Sequence, residues 1–204
     1  MGRFGIVSLQ GDFAAHAAAL QAAGAEVREV RRCAALNGLS GIVLPGGEST
    51  TLLNLMDDEP WFEALRQFHA RGGAIFGTCA GSILLAREVF PNQRSLGLLD
   101  AAIERNAYGR QVDSFEARLE VPSLALELEA VFIRAPRFRA VGPGVEVLAK
   151  LGDQAVLVRQ GRILAATFHP ELSASPALHR YFIQLAESDN QEDPPVGRLV
   201  ASAP

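Results

Sequence analysis

The sequence predicts a three-layer α/β domain. A central, mostly parallel sheet carries helices on both faces, with antiparallel strands in the second half. Three observations predict it. Short apolar runs alternate with helix-length segments through the first half, which suits parallel strands joined by crossover helices. Two of those runs end in glycine-rich turns, the usual passage from a buried strand to a helix. Beyond residue 115 the pattern changes to strands separated by tight turns such as Gly142-Pro143-Gly144, Gly152-Asp153 and Gln160-Gly161, which suit antiparallel pairs.

Each element follows from local chemistry. Residues 3–9 alternate as a strand. Asp12 is placed to cap a helix through about residue 23, which Gly24 ends. Residues 25–30 form a short strand, and 41–44 a buried one that runs into Pro45-Gly46-Gly47. Ser49 or Thr50 caps a short helix, and a further helix covers 60–70 with Pro60 in its first turn. Residues 73–76 are a third apolar strand, followed by Gly77-Thr78-Cys79-Ala80-Gly81 and a helix to about residue 87. Strands follow over 115–121, 130–134, 145–150, 155–159 and 163–168, then a last helix over 176–186. One domain is expected over residues 1–187. Residues 188–204 are acidic and proline-containing with few large apolar groups, and are expected to form a disordered tail.

Composition narrows the function classes. The chain has 204 residues, 49% hydrophobic, enough for one sizeable core. No apolar run approaches the length of a membrane span, and the first residues read as a strand rather than a secretory signal, so a cytoplasmic protein is expected. A net charge of −4 disfavours general nucleic-acid binding. Lys150 is the single lysine beside eighteen arginines, so Schiff-base chemistry has one candidate. The two cysteines, Cys33 and Cys79, form no disulfide framework. No Cys/His spacing suggests zinc, and neither a metal nor a cofactor is expected.

The chemistry concentrates at Cys79. Gly77-x-Cys79-x-Gly81 between an apolar strand and a helix is the thiol counterpart of the nucleophile elbow, whose glycines permit a sharp turn. Such a turn lifts the nucleophile to the carboxyl edge of the sheet, beside free backbone N–H groups at the helix start. A lone cysteine is more often inert packing, and Cys33, in Arg31-Arg32-Cys33-Ala34, is assigned that structural role. A thiol nucleophile needs a base and the base an orienting group. His169-Pro170-Glu171 supplies both if the segment is extended, because residues two apart then face one side. His16, His69 and His179 fall in helices and are expected at the surface or half-buried. Gly46-Gly47 after the 41–44 strand can offer N–H groups to an anion, yet matches neither the Walker loop nor the dinucleotide fingerprint.

Pro45-Gly46-Gly47-Glu48-Ser49, the Cys79 elbow and His169-Pro170-Glu171 occur in the order found in class I, triad-type glutamine amidotransferases, which the chain resembles. Leu9-Gln10-Gly11-Asp12, Leu96-Gly97-Leu98-Leu99-Asp100, the run from Glu104 to Phe115, and Phe132-Ile133-Arg134-Ala135-Pro136 narrow the likeness to the glutaminase subunits of pyridoxal 5′-phosphate synthase complexes. It covers roughly residues 3 to 186. The resemblance implies the flavodoxin-like amidotransferase fold and hydrolysis of L-glutamine to L-glutamate and ammonia by Cys79, His169 and Glu171. It implies an oxyanion site from Gly47 and Ala80, completed by Gln10 on docking, and a glutamine pocket lined by Gly47, Glu48, Ser49, Arg105, Ile133 and Arg134. It also implies a partner, a synthase subunit whose dodecameric barrel core carries glutaminase subunits in a 12 + 12 complex and receives their ammonia. Arginine suits the α-carboxylate of glutamine, which its planar fork can grip with two hydrogen bonds. Three other readings stay open from residues alone: the same chemistry for another ammonia acceptor, a cysteine-elbow redox sensor or chaperone, and an inactive binding subunit.

Overall fold

The computed structural model describes residues 2–105, 107 and 114–188. The expected tail, apart from Ser188, and residues 106 and 108–113 of the Glu104 to Phe115 run lie outside the described residues.

In chain order the elements are β1 (Arg3–Val7), α1 (Phe13–Ala22), β2 (Glu26–Val30), β3 (Gly41–Leu44), α2 (Ser49–Met56), α3 (Trp61–Ala70), β4 (Ala74–Thr78), α4 (Ala80–Leu85), β5 (Ala86–Phe90), β6 (Leu99–Glu104), β7 (Ser114–Val121), β8 (Leu126–Ile133), β9 (Arg137–Val141), β10 (Glu146–Leu151), β11 (Gln154–Gln160), β12 (Ile163–Ala166) and α5 (Ala177–Glu187). A seven-stranded sheet has the order β10-β11-β12-β4-β3-β1-β2. The pairs β1–β2, β1–β3, β3–β4 and β12–β4 are parallel, and β10–β11 and β11–β12 antiparallel. The expected mostly parallel sheet with an antiparallel second half is therefore present. Among the described residues no helix is long and apolar enough to cross a membrane.

Side-chain alternation divides each central strand between two cores. Phe4, Val43 and Phe76 face one side, under Leu20 of α1 and Leu178, Tyr181, Phe182 and Leu185 of α5. Ile42, Leu44 and Ile75 face the other, against Leu52 and Met56 of α2, Trp61, Leu65 and Phe68 of α3 and Ile83 to Leu85 of α4. The buried positions of α3 and α5 recur at three- and four-residue intervals, as an amphipathic helix requires. The antiparallel hairpin β7–β8 packs into the first core, and the small sheet β5-β6-β9 into the second.

The structure corrects several local expectations. The helix after the elbow stops at Leu85 rather than near residue 87. The N–H groups of Leu96 and Leu98 take the carbonyls of Leu84 and Leu85, so the helix ends where the returning chain satisfies it. Residues 86–90 then form β5, a strand that helical continuation had hidden, and β6 and β9 were also not expected. Neither Ser49 nor Thr50 caps α2. The Glu48 carboxylate does, accepting the N–H groups of Thr50 and Thr51 at 3.1 and 2.7 Å. Asp12 occupies the cap position of α1 but makes no side-chain cap hydrogen bond.

Candidate active site

Strand order places the site. β12, β4, β3 and β1 are parallel neighbours, so the segments that follow them all leave from one edge of the sheet. Those segments carry His169, Cys79, Gly46 to Ser49, and Gln10 with Gly11. Ala166 pairs with Thr78 in the ladder, which is why groups ninety positions apart in the chain emerge side by side.

Cys79 sits at φ 47°, ψ −104°, a conformation that side chains rarely adopt. The structure shows why both elbow positions are glycine. A Cβ at Gly81 would lie 1.9 Å from the carbonyl oxygen of Leu44, and one at Gly77 would lie 2.7 Å from the backbone of Gly81. Cys79 N–H bonds the Ala166 carbonyl at 2.9 Å. The Ser82 hydroxyl lies 2.8 and 2.7 Å from the carbonyls of Gly77 and Ala166, tying α4 to β4 and β12. The turn is thus held from several sides, as a strained residue must be. Cys79 is 6% exposed.

His169 is fixed through its backbone by an antiparallel bridge to Val131, with its N–H 2.8 Å from the Val131 carbonyl. Glu171 does not follow in extended chain, as the sequence suggested. Pro170 starts a single 3₁₀ turn over Pro170–Leu172, and this turn swings the carboxylate back to His169 Nδ1 at 2.8 Å. The ring's other edge faces Cys79. Burial opposes a charge on His169, but hydrogen bonding to Cys79 and Glu171 and their negative charge outweigh it and raise its pKa to about 10. Gly46 lies against the pair. A Cβ there would come within 2.5 Å of His169 Cε1 and 3.3 Å of Cys79 Cβ.

Cys79 and His169 line a cavity of about 320 Å³. Gly47, Glu48, Ser49, Arg105, Ile133 and Arg134, all expected in the glutamine pocket, line it too, and so do Gly11, Asp12 and Ile83, which were not assigned to it. Arg105 Nη2 lies 3.1 Å from Thr50 Oγ1 and 3.4 Å from Glu48 Oε1. Burial raises the Glu48 pKa, but the Thr51 and Thr50 N–H groups outweigh it and hold the carboxyl below its usual range. Ser49 Oγ donates to Gln93 Oε1 at 2.9 Å. Ala80 opens α4, but that helix has only six residues, so it contributes a local N–H rather than a long dipole. Gln10 does not line the cavity. Its side chain packs beside Gly47 and accepts the Glu48 N–H at 3.2 Å, while its Nε2 is buried without a hydrogen-bond partner.

Two expectations about histidines fail. His16 and His179 are fully buried, not at the surface. His16 lies four residues before Leu20 on α1, and that spacing on one helix face was the available signal. His69 is half-buried, with Nδ1 3.1 Å from the Gly73 carbonyl. Cys33 is part-buried. Burial, with Glu59 beside it, pushes its thiol up to about 11, which suits an inert residue. Among the described residues no group of His, Cys, Asp and Glu is arranged to hold a metal ion.

Residues 6–188 match the model of the SNO glutamine amidotransferase family. Pyridoxal 5′-phosphate synthase subunit PdxT from a strain of Thermus thermophilus is 55% identical over 188 residues, spanning 91% of this chain and 98% of the relative. The protein of the same name from Deinococcus radiodurans is 53% identical, spanning 89% and 96%. A crystal structure of a glutamine amidotransferase superposes with a TM-score of 0.85 at 53% identity, covering 90% of this chain and 98% of that one. The structure of PurLQS from Thermotoga maritima, 18% identical with a TM-score of 0.66 over 90% of this chain and 97% of that one, shares the fold.

Proposed function

The chain belongs to the SNO glutamine amidotransferase family, and from that premise we propose that it is the glutaminase subunit of a pyridoxal 5′-phosphate synthase, working through Cys79, His169 and Glu171. The activity is assigned to residues 1–187. One observation carries the triad: a thiol held at positive φ faces an imidazole whose far nitrogen is bound 2.8 Å from a buried carboxylate, at the wall of a cavity.

Glutamine enters with its side-chain amide toward Cys79. Arg105 and Arg134 take its α-carboxylate, and Glu48 offers a negative partner to its α-ammonium group. The imidazolium of His169 favours the thiolate, which attacks the amide carbon. The oxyanion that forms is held by the N–H groups of Gly47 and Ala80, with Gln10 completing the site when a partner docks. Each such donor is worth about 3–4 kcal/mol of transition-state stabilisation. His169 gives its proton to the departing ammonia, leaving a glutamyl thioester. It then takes a proton from the water that releases glutamate. Glu171 keeps the ring in one orientation throughout.

Free ammonia would be protonated and lost in water, so the product is passed to a synthase subunit that performs the carbon chemistry. That subunit forms a dodecameric barrel core bearing twelve glutaminase chains, and the reaction takes place in the cytoplasm. Lys150, the single lysine, does not line the cavity, which supports locating Schiff-base chemistry on the other chain.

The test is a glutaminase assay on this chain with and without the synthase subunit, repeated for Cys79→Ser. Ammonia release that rises with the partner and vanishes in Cys79→Ser is the expected result. Wild-type turnover in Cys79→Ser would overturn the mechanism. A partner that binds but makes no coenzyme would redirect the ammonia to another acceptor.

A further inference from the structure

Behind Glu171 lies a polar chain that the mechanism above does not use. His16 of α1 and His179 of α5 are both 0% exposed. His16 Nδ1 is 2.9 Å from His179 Nε2. His16 Nε2 is 3.1 Å from Thr78 Oγ1 and 3.2 Å from Glu171 Oε2. Glu171 Oε2 has no well-aligned hydrogen-bond partner, and neither has His179 Nδ1. Thr78 immediately precedes the nucleophile, so this chain touches the triad at both ends.

The two unpartnered atoms decide where the ring protons sit. If His16 carried its proton on Nδ1, it would donate to His179 Nε2 and force the His179 proton onto Nδ1. That would bury an N–H with no acceptor, and it would turn the lone pair of His16 Nε2 toward a carboxylate oxygen. Both are costly. If each ring carries its proton on Nε2, His179 donates to His16 Nδ1, and the His16 N–H points into the gap between Thr78 Oγ1 and Glu171 Oε2. The atom left over is then a lone pair on His179 Nδ1, the cheaper orphan. Only this second arrangement offers a positive dipole to the otherwise bare oxygen of Glu171.

We propose, resting on the triad reading above, that His16 and His179 form a neutral relay that positions the triad. The His16 Nε2–H steadies Glu171 from behind, so that Glu171 Oε1 holds His169 toward Cys79, and His179 fixes the proton position of His16. The rings are suited to this because burial, before any neighbouring charge, keeps them neutral at physiological pH, with His179 lowered to about 4 and His16 held well below its ordinary value. Burial acts on His16 first, followed by the charges of His179 and His169. A second cation beside Glu171 would compete with His169 for the carboxylate. A neutral donor does not.

The experiment uses the full chain with its synthase partner. His16→Leu is expected to lower kcat about ten- to a hundred-fold while leaving the KM for glutamine within about two-fold, as loss of reacting geometry does. His16→Gln, whose amide can still donate, should restore most of kcat. A merely structural role would lower stability while leaving kcat per folded molecule unchanged. A wild-type kcat in His16→Leu, or failure of His16→Gln to rescue, would each overturn the relay. In the unmutated protein, ¹⁵N-histidine spectra should find both rings neutral and protonated on Nε2. A proton on His16 Nδ1 would overturn it without any variant. Cys79→Ser run alongside separates the two proposals. Turnover surviving there defeats the nucleophile assignment, whereas lost turnover there with a wild-type His16→Leu defeats only the relay.

Discussion

The two faces of the central sheet are equally closed to water but differently made. Beneath α2, α3 and α4 the packing is aliphatic and aromatic, with Trp61, Leu65, Phe68 and Ile75 all nearly or fully buried. Beneath α1 and α5 the same kind of packing surrounds two histidines, and Phe76 meets both rings edge-on. An apolar face gains stability from every side chain it covers. A face that buries imidazoles gives some of that stability up through desolvation. The difference is that one face serves mainly as support for the elbow, while the other also reaches through to the back of Glu171.

The contrast can be tested by perturbing each face. The largest stability effect is expected on the apolar one: Trp61→Ala should cost about 3–5 kcal/mol and lower the Tm on the order of 10 °C, read by urea and thermal unfolding. A loss below about 1 kcal/mol would mean that this face is not the support it looks to be.

The histidine face should respond to pH instead. His179 has a folded pKa of about 4 against an ordinary 6.5, so below 6.5 the unfolded chain binds more protons and folding weakens. The stability lost on going down through that window is about 3 kcal/mol for this ring, and His16 acts in the same direction. His169 has the opposite sign. With its pKa raised to about 10, its contribution is complete below 6.5 and is lost as pH climbs toward 10. Stability should therefore peak near neutral pH. In His179→Leu the slope between pH of about 5 and 6.5 should flatten. An unchanged slope would remove the distinction between the faces.

The smallest effect lies where the faces meet, at Gly46. Gly46→Ala puts a methyl against the His169 ring and Cys79, so kcat should fall about ten- to a hundred-fold, worth about 1–3 kcal/mol of barrier. Steady-state kinetics at unchanged KM would show it. Unimpaired turnover would mean that the ring has room the structure does not give it.

Much of this was legible in the residues. The β-α alternation and the two glycine-flanked turns specified the parallel sheet, and the Cys79 elbow declared itself because only a tight strand-to-helix turn needs glycine at both flanks. The residues that escaped did so for identifiable reasons. β5 was hidden because helix propensity continues past Leu85, and only the capture of its last carbonyls by Leu96 and Leu98 stops it. Glu48 as a cap was missed because serine and threonine beside it are the commoner choice. His16 and His179 looked like ordinary helical positions, since a polar residue among alanines, as at His16, or beside an arginine, as at His179, reads as solvent-facing.

By itself the sequence determined which groups could do the chemistry and which local turns would present them, because a nucleophile elbow and a His-Pro-Glu run are short-range patterns set by backbone sterics. Only the tertiary structure decided that these groups meet. That depended on β12 pairing parallel to β4, a long-range choice that local preference does not encode. Only the folded core likewise decided that two distant histidines lose water together behind Glu171, for desolvation belongs to the packed assembly rather than to any stretch of chain.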